Sequence, residues 1–143
     1  MKLGVASLAV TLMLATGAFA AAPKPMSVDK SGSFLIDPAT SEKLWKDNTP
    51  ARVAKLYPVK KFRFASEVTG GFNEAKSCVV SARVMLLPVV FLPIQGTKVV
   101  YAPIKSATAF DAVPGLSREQ CQEFAHTKLK EAIQSLTSAL AAS

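Results

Sequence analysis

The spacing of apolar positions changes along this chain, and each change marks an element. Residues 78–94, CVVSARVMLLPVVFLPI, are its most apolar stretch after the first twenty residues. Over residues 77–87 the period is two: Cys78, Val80, Ala82, Val84 and Leu86 fall on one face, and Val79, Ser81, Arg83, Met85 and Leu87 on the other. Both faces are largely apolar, which predicts a central strand covered on two sides. Pro88 and Pro93 bracket VVFL, so a kink is expected at Pro88 and the segment beyond it reads as an edge.

The same period of two begins at Lys60, with Phe62, Phe64 and Ser66 facing one way and Lys61, Arg63, Ala65 and Glu67 the other, a half-buried strand. Gly70-Gly71 allows a hairpin there or a bulge inside a longer strand that turns at Asn73-Glu74-Ala75-Lys76, and the longer strand is favoured. Gln95-Gly96-Thr97-Lys98 reads as a turn into a third strand over residues 99–104 that carries Pro103. Residues 105–113 read as a short extended piece with Phe110 buried, before a turn at Pro114-Gly115.

Helical signals lie on either side of this strand-rich middle. Asp37 before Pro38 predicts an N-cap and first residue of a short helix that carries Leu44 and Trp45 inward and stops near Asn48. Thr49-Pro50 repeats the signal for a second short helix with Val53, Ala54 and Tyr57, ended by Pro58. Ser117 with Gln120 forms a capping box, flanked by Leu116 and Cys121 at the staple positions. Cys121, Phe124, Ala125, Leu129, Ala132, Ile133, Leu136 and Leu140 then recur on one side of a long C-terminal helix. The reading is an α+β fold: an antiparallel sheet of three to four strands, short N-terminal helices, and a C-terminal amphipathic helix packed on the sheet.

The first twenty residues stand apart from this pattern. Lys2, the apolar run Leu8 to Leu14, and Ala18-Phe19-Ala20 have the three parts of a secretory signal, with cleavage expected after Ala20. Residues 21–33, with Pro23 and Pro25 and no periodicity, read as a flexible lead-in to a single domain over 34–143. No cysteine follows the cleavage site, so the mature chain is expected in the periplasm or outside the cell, without a lipid anchor or a transmembrane span. Cys78 and Cys121 are the two cysteines, and in an oxidising compartment an even count predicts a disulfide between them. That bond would pin the start of the C-terminal helix to the start of the central strand.

Charge adds a candidate surface. The chain carries +7 at pH 7, and loss of Lys2 with the signal leaves 16 basic and 10 acidic residues. Arg52, Lys55, Lys60, Lys61 and Arg63 follow one another with no acid among them, a candidate site for an anion or an acidic partner. Export turns the expectation from nucleic acid toward an acidic protein, an anionic lipid headgroup or a glycan. Val89, Phe91 and Leu92 form a candidate apolar docking edge if the fold leaves them uncovered. Arg83, alone in an apolar strand, needs a partner or a route to solvent, and Glu67 is the candidate partner.

Signatures of catalysis are sparse. The sequence holds no GxSxG, HExxH, phosphate-loop or dinucleotide fingerprint, and neither a metal nor a cofactor is expected. His126 falls on the flank of the helical stripe without an evident carboxylate and pocket. The leading expectation is a small exported envelope protein that binds, in the manner of an immunity protein or inhibitor, through its basic face and apolar edge. Two alternatives remain: a small envelope hydrolase using paired carboxylates such as Glu67 and Glu74, and an assembly factor that shields an apolar segment of another envelope protein.

Overall fold

Alternation over the longest apolar stretch produces the strand on which the rest of the sheet is built. The computed structural model describes residues 27–32, 34–100 and 102–143, so the signal-like segment lies outside the described residues. Strand β3 (Ser77–Leu92) runs between β2 (Phe62–Phe72) on one edge and β5 (Lys105–Pro114) on the other. The β2 ladder is antiparallel and unbroken from Phe62↔Pro88 to Phe72↔Cys78, so the long strand is observed and the bulge is not. The turn after it is closed by Asn73 N–H donating to the Ser77 carbonyl at 3.0 Å. Gly70 keeps its place with φ +135°, and a Cβ there would collide with the Val79 carbonyl oxygen.

Two strands differ from expectation. β1 (Ser27–Asp29) lies in the stretch read as a flexible lead-in, yet it pairs parallel to β2 with Ser27 opposite Phe64 and Asp29 opposite Ser66. The sheet is therefore mixed and five-stranded. Nor does β3 end at Pro88: it continues to Leu92, and β4 (Gly96–Val99) pairs only with that extension, from Val89↔Val99 to Leu92↔Gly96. The turn is Pro93-Ile94-Gln95, closed by Gln95 N–H on the Leu92 carbonyl at 3.1 Å, rather than Gln95 to Lys98.

One face of the sheet carries the helices. Helix α3 (Arg118–Ala141) begins with the expected box: Ser117 Oγ accepts from Gln120 N, and the Gln120 side chain accepts from Ser117 N. Its buried residues Cys121, Ala125, Leu129, Ala132, Ile133, Leu136 and Leu140 meet Cys78, Val80, Ala82, Val84 and Leu86 of β3 in one cluster. The Cys78–Cys121 disulfide joins the two elements across 43 residues of sequence. Helix α1 (Pro38–Asn48), capped by Asp37 on the Thr40 N–H at 2.9 Å, drives Trp45 into the same cluster, where its ring meets that of Phe64 at 4.9 Å. Helix α2 (Ala51–Leu56) starts one residue later than expected, with Pro50 at the cap position. Thr49 is already the C-cap of α1, and its buried hydroxyl finds no partner.

A buried polar relay ties β1 and α1 to the sheet. Ser66 Oγ donates to Asp29 at 3.0 Å and accepts from the Trp45 indole at 3.3 Å, with Ser41 Oγ at 3.0 Å. One hydroxyl thereby uses its donor and both lone pairs, which is what permits a polar group in this core. The opposite sheet face has a smaller cluster, Ala65, Met85 and Leu87, with Val99 packed against it. Phe110 also falls on that face, opposite Ser81, and is 66% exposed rather than buried. The other face of β5 meets α3: Ala107 and Ala109 pack against the core cluster, Lys105 donates to the Ala139 carbonyl, and Asp111 pairs with Lys128.

Candidate functional site

Beyond Pro88 the sheet narrows to two strands. Phe62, the first residue of β2, is the register partner of Pro88, and Leu86 is the last β3 residue in the core under α3. The final link on the β2 side is Val89 N–H on the Lys61 carbonyl at 2.8 Å; on the other, Val100 N–H reaches the Pro88 carbonyl at 3.0 Å. Past these two bonds projects an arm made of residues 89–92, the turn 93–95 and β4. Its side chains alternate between the two sheet faces, Val90 and Leu92 on one and Val89 and Phe91 on the other. Ile94 at the tip is 97% exposed and Phe91 70%; Val90 and Leu92 are also exposed, while Val89 is half-buried. The three residues of the expected apolar edge are thus brought together on this arm, with Ile94 and Val90 beside them.

The basic run stands at the arm's base. Arg52 and Lys55 are exposed on α2, Lys60 and Lys61 are exposed in the turn after it, and Arg63 is half-buried with its guanidinium donating to the Phe62 carbonyl at 3.0 Å. Tyr57 packs edge-on to Phe62 at 5.3 Å, which holds the end of α2 against the first residue of β2. Among the described residues these five cations form no ion pair, whereas Lys43, Lys46 and Lys128 do. Residues 48–66 and 84–110 together contain seven Lys or Arg and no Asp or Glu. The uncompensated charge is therefore concentrated at the end of the sheet that carries the arm.

Other candidates are kept apart. Glu67 lies in mid-strand and Glu74 in the turn past Phe72, which is itself about 17 Å along the strand at ~3.4 Å per residue, so they do not form the pair that glycan hydrolysis uses. Arg83 is opposite Glu67 in register, but no ion pair within 4 Å joins them; its exposure to solvent accounts for it. His126 differs from the reading that gave it neither a carboxylate nor a pocket: on the flank of α3 it sits 3.5 Å from Glu123 and, with Leu35, Ile36, Asp37 and Gln122, lines a cavity of about 170 Å³. A more open concavity of about 530 Å³ lies where Asn48 and Thr49 face α3, crossed by the Gln134 Nε2 to Asn48 Oδ1 bond at 3.2 Å. Among the described residues no group of His, Cys, Asp or Glu is arranged to hold a metal, and no helix is long and apolar enough to cross a membrane.

The sequence placed Val89, Phe91 and Leu92 at an edge but missed Ile94 as the most exposed large apolar side chain. The available signal was turn chemistry: Leu-Pro-Ile-Gln puts an isoleucine where hairpin turns carry Gly, Asn or Asp. No family model, curated protein or solved structure matches the chain.

Proposed function

We propose that this protein is a small exported binding protein of the cell envelope, acting through the arm and the basic residues at its base. The observation that carries this reading is one end of the sheet that carries both an arm with an exposed apolar tip and, toward its base, cations without acidic partners. Water solvates both, but leaving large apolar side chains at a tip gains nothing for the fold, and an uncompensated positive field favours encounter with an anionic partner. The signal-like first twenty residues and the Cys78–Cys121 disulfide support a compartment outside the cytoplasm.

The test is retention on a soluble or matrix-bound polyanion as salt is raised. Wild type is expected to elute late and the Lys60→Ala/Lys61→Ala/Arg63→Ala variant early, with the gap closing above ~0.5 M salt, where the Debye length falls below about 5 Å. Identical, salt-insensitive elution of the two proteins rejects the basic face as the binding surface.

A further inference from the structure

We infer that the partner of this surface is an anionic lipid bilayer, with the arm's tip entering the boundary between headgroups and acyl chains and the basic base resting on the headgroups. The inference rests on the binding reading above and names its occupant. Four observations converge on it.

The first is where the apolar side chains point. Val90 and Leu92 face one side of the arm, Phe91 the other, and Ile94 caps the end. A protein docked on one face would leave the other in water, whereas a bilayer receives all of them together. The second is the tip's chemistry. Pro93 brings no N–H to desolvate, and the β3–β4 ladder pairs much of the arm's backbone internally.

The third is length. From Pro88 to the end of β3 at Leu92 the arm extends about 14 Å at ~3.4 Å per residue, with the turn that carries Ile94 beyond it, and interfacial segments enter lipid by roughly 5–10 Å. A tip at that depth leaves the base of the arm just outside the headgroups, within reach of the long, exposed side chains of Lys60 and Lys61 and of the half-exposed Arg63. Lys98, opposite Val90 on the arm itself, can direct its ammonium back toward the same layer. The unpaired edge of β3 beside Phe91, past the end of β2, limits the arm to the interface, because exposed backbone groups are not carried into hydrocarbon. The fourth is charge: the segments forming this end contain no acid to oppose an anionic surface.

The experiment uses Ile94→Trp as a reporter. Trp45 is fully buried in the core and supplies a constant background. With vesicles of phosphatidylcholine containing about 30 mol% phosphatidylglycerol, the I94W emission is expected to shift to the blue and to be quenched by brominated acyl chains. With phosphatidylcholine alone, or at high salt, neither is expected. Phe91→Asp/Ile94→Asp is expected to cut partitioning at least tenfold, and each of Lys60→Ala, Lys61→Ala and Arg63→Ala about fivefold. All of these side chains are exposed or half-exposed, and an unchanged near-ultraviolet spectrum from Trp45 confirms folding. Because every variant carries the same N-terminal segment, any binding by that segment is common to all.

Three results overturn the inference: no blue shift on anionic vesicles, equal binding to zwitterionic ones, or self-association abolished by I94D in place of vesicle binding. A protein that keeps salt-dependent retention on a polyanion while its I94W reporter ignores vesicles loses the bilayer and retains the basic face; failure in both assays removes both readings.

Discussion

Replacing Cys78 and Cys121 by alanine tests how the helix is held to the sheet. The disulfide closes a loop of 43 residues between the first turn of α3 and the start of β3. In the chain-entropy account a loop of that size restricts the unfolded ensemble by about 4 kcal/mol. With an unfolding entropy of ~2.1 cal/mol/K per residue, the roughly 110 residues of the domain give about 0.23 kcal/mol/K, so the lost crosslink lowers Tm by about 17 °C. Both cysteines are fully buried, so removing their sulfur atoms also leaves a void costing about 1 kcal/mol, a few degrees more. The two contributions separate in a three-way comparison by circular dichroism: oxidised wild type, wild type refolded with its thiols kept reduced, and C78A/C121A. Reduced wild type should melt about 17 °C below the oxidised form, with the double variant slightly lower still. If reduced and oxidised wild type melt within about 4 °C of each other, the pinning role assigned to the bond is wrong.

Other parts of the fold give three further expectations. Ser66→Ala strands the Trp45 N–H and the Ser41 hydroxyl in the core and releases Asp29, so chemical denaturation should register a loss of about 3 kcal/mol, and adding Ser41→Ala should cost less than its separate effect. Asp111 is held below its ordinary 3.8 by the Ala112 N–H and then by Lys128; its contribution is present above that value and is lost as pH falls through the lower folded one, so wild type and Asp111→Asn should differ in Tm at pH 7 and converge near pH 2. Excising residues 90–98 and joining Val89 to Val99 through Asn-Gly removes the arm but keeps Val99 on the Ala65, Met85 and Leu87 cluster; Tm should stay within about 4 °C while vesicle partitioning disappears.

How much of the fold is legible in the sequence depends on whether the deciding interaction is local. The capping box at Ser117, the α3 stripe, the Asp37 cap and the alternation of β2 and β3 are short-range patterns, and each appears where the residues predict it. β1 carries no such pattern: three residues are held parallel to β2 by ladder bonds and by Asp29 reaching Ser66, a partner 37 positions away. The burial expected for Phe110 failed because SATAFDAV has small residues on both alternating faces. Its phase becomes visible only in the tertiary contacts with α3, where Ala107 and Ala109 pack on the core and Lys105 and Asp111 find their partners. The basic run is legible as composition, but its position at the foot of an arm requires the β2–β3 register.

Pro88 explains why fold and arm can coexist in one strand. A proline inside a ladder ordinarily costs a hydrogen bond, which is the basis for expecting β3 to stop there. On the edge facing β4 and β5, however, Pro88 falls where pairing passes from one to the other: the β5 ladder ends at Leu86↔Lys105, and the β4 ladder begins at Val89↔Val99. Its carbonyl accepts from Val100, and the one reciprocal bond that its missing N–H cannot make falls at the switch, at the end of both ladders rather than inside either. The strand can therefore cross the boundary of the core without a break. Core packing selects side chains up to Leu87, and past Pro88 that selection weakens: among the described residues Val90 and Leu92 are only partly covered, and Phe91 and Ile94 are mostly in solvent. Folding thus leaves the apolar character of Phe91 and Ile94 unaccounted for, and the cations of the segments that form this end of the sheet, without an acid among them, give it a direction: toward a surface that is apolar within and anionic at its face.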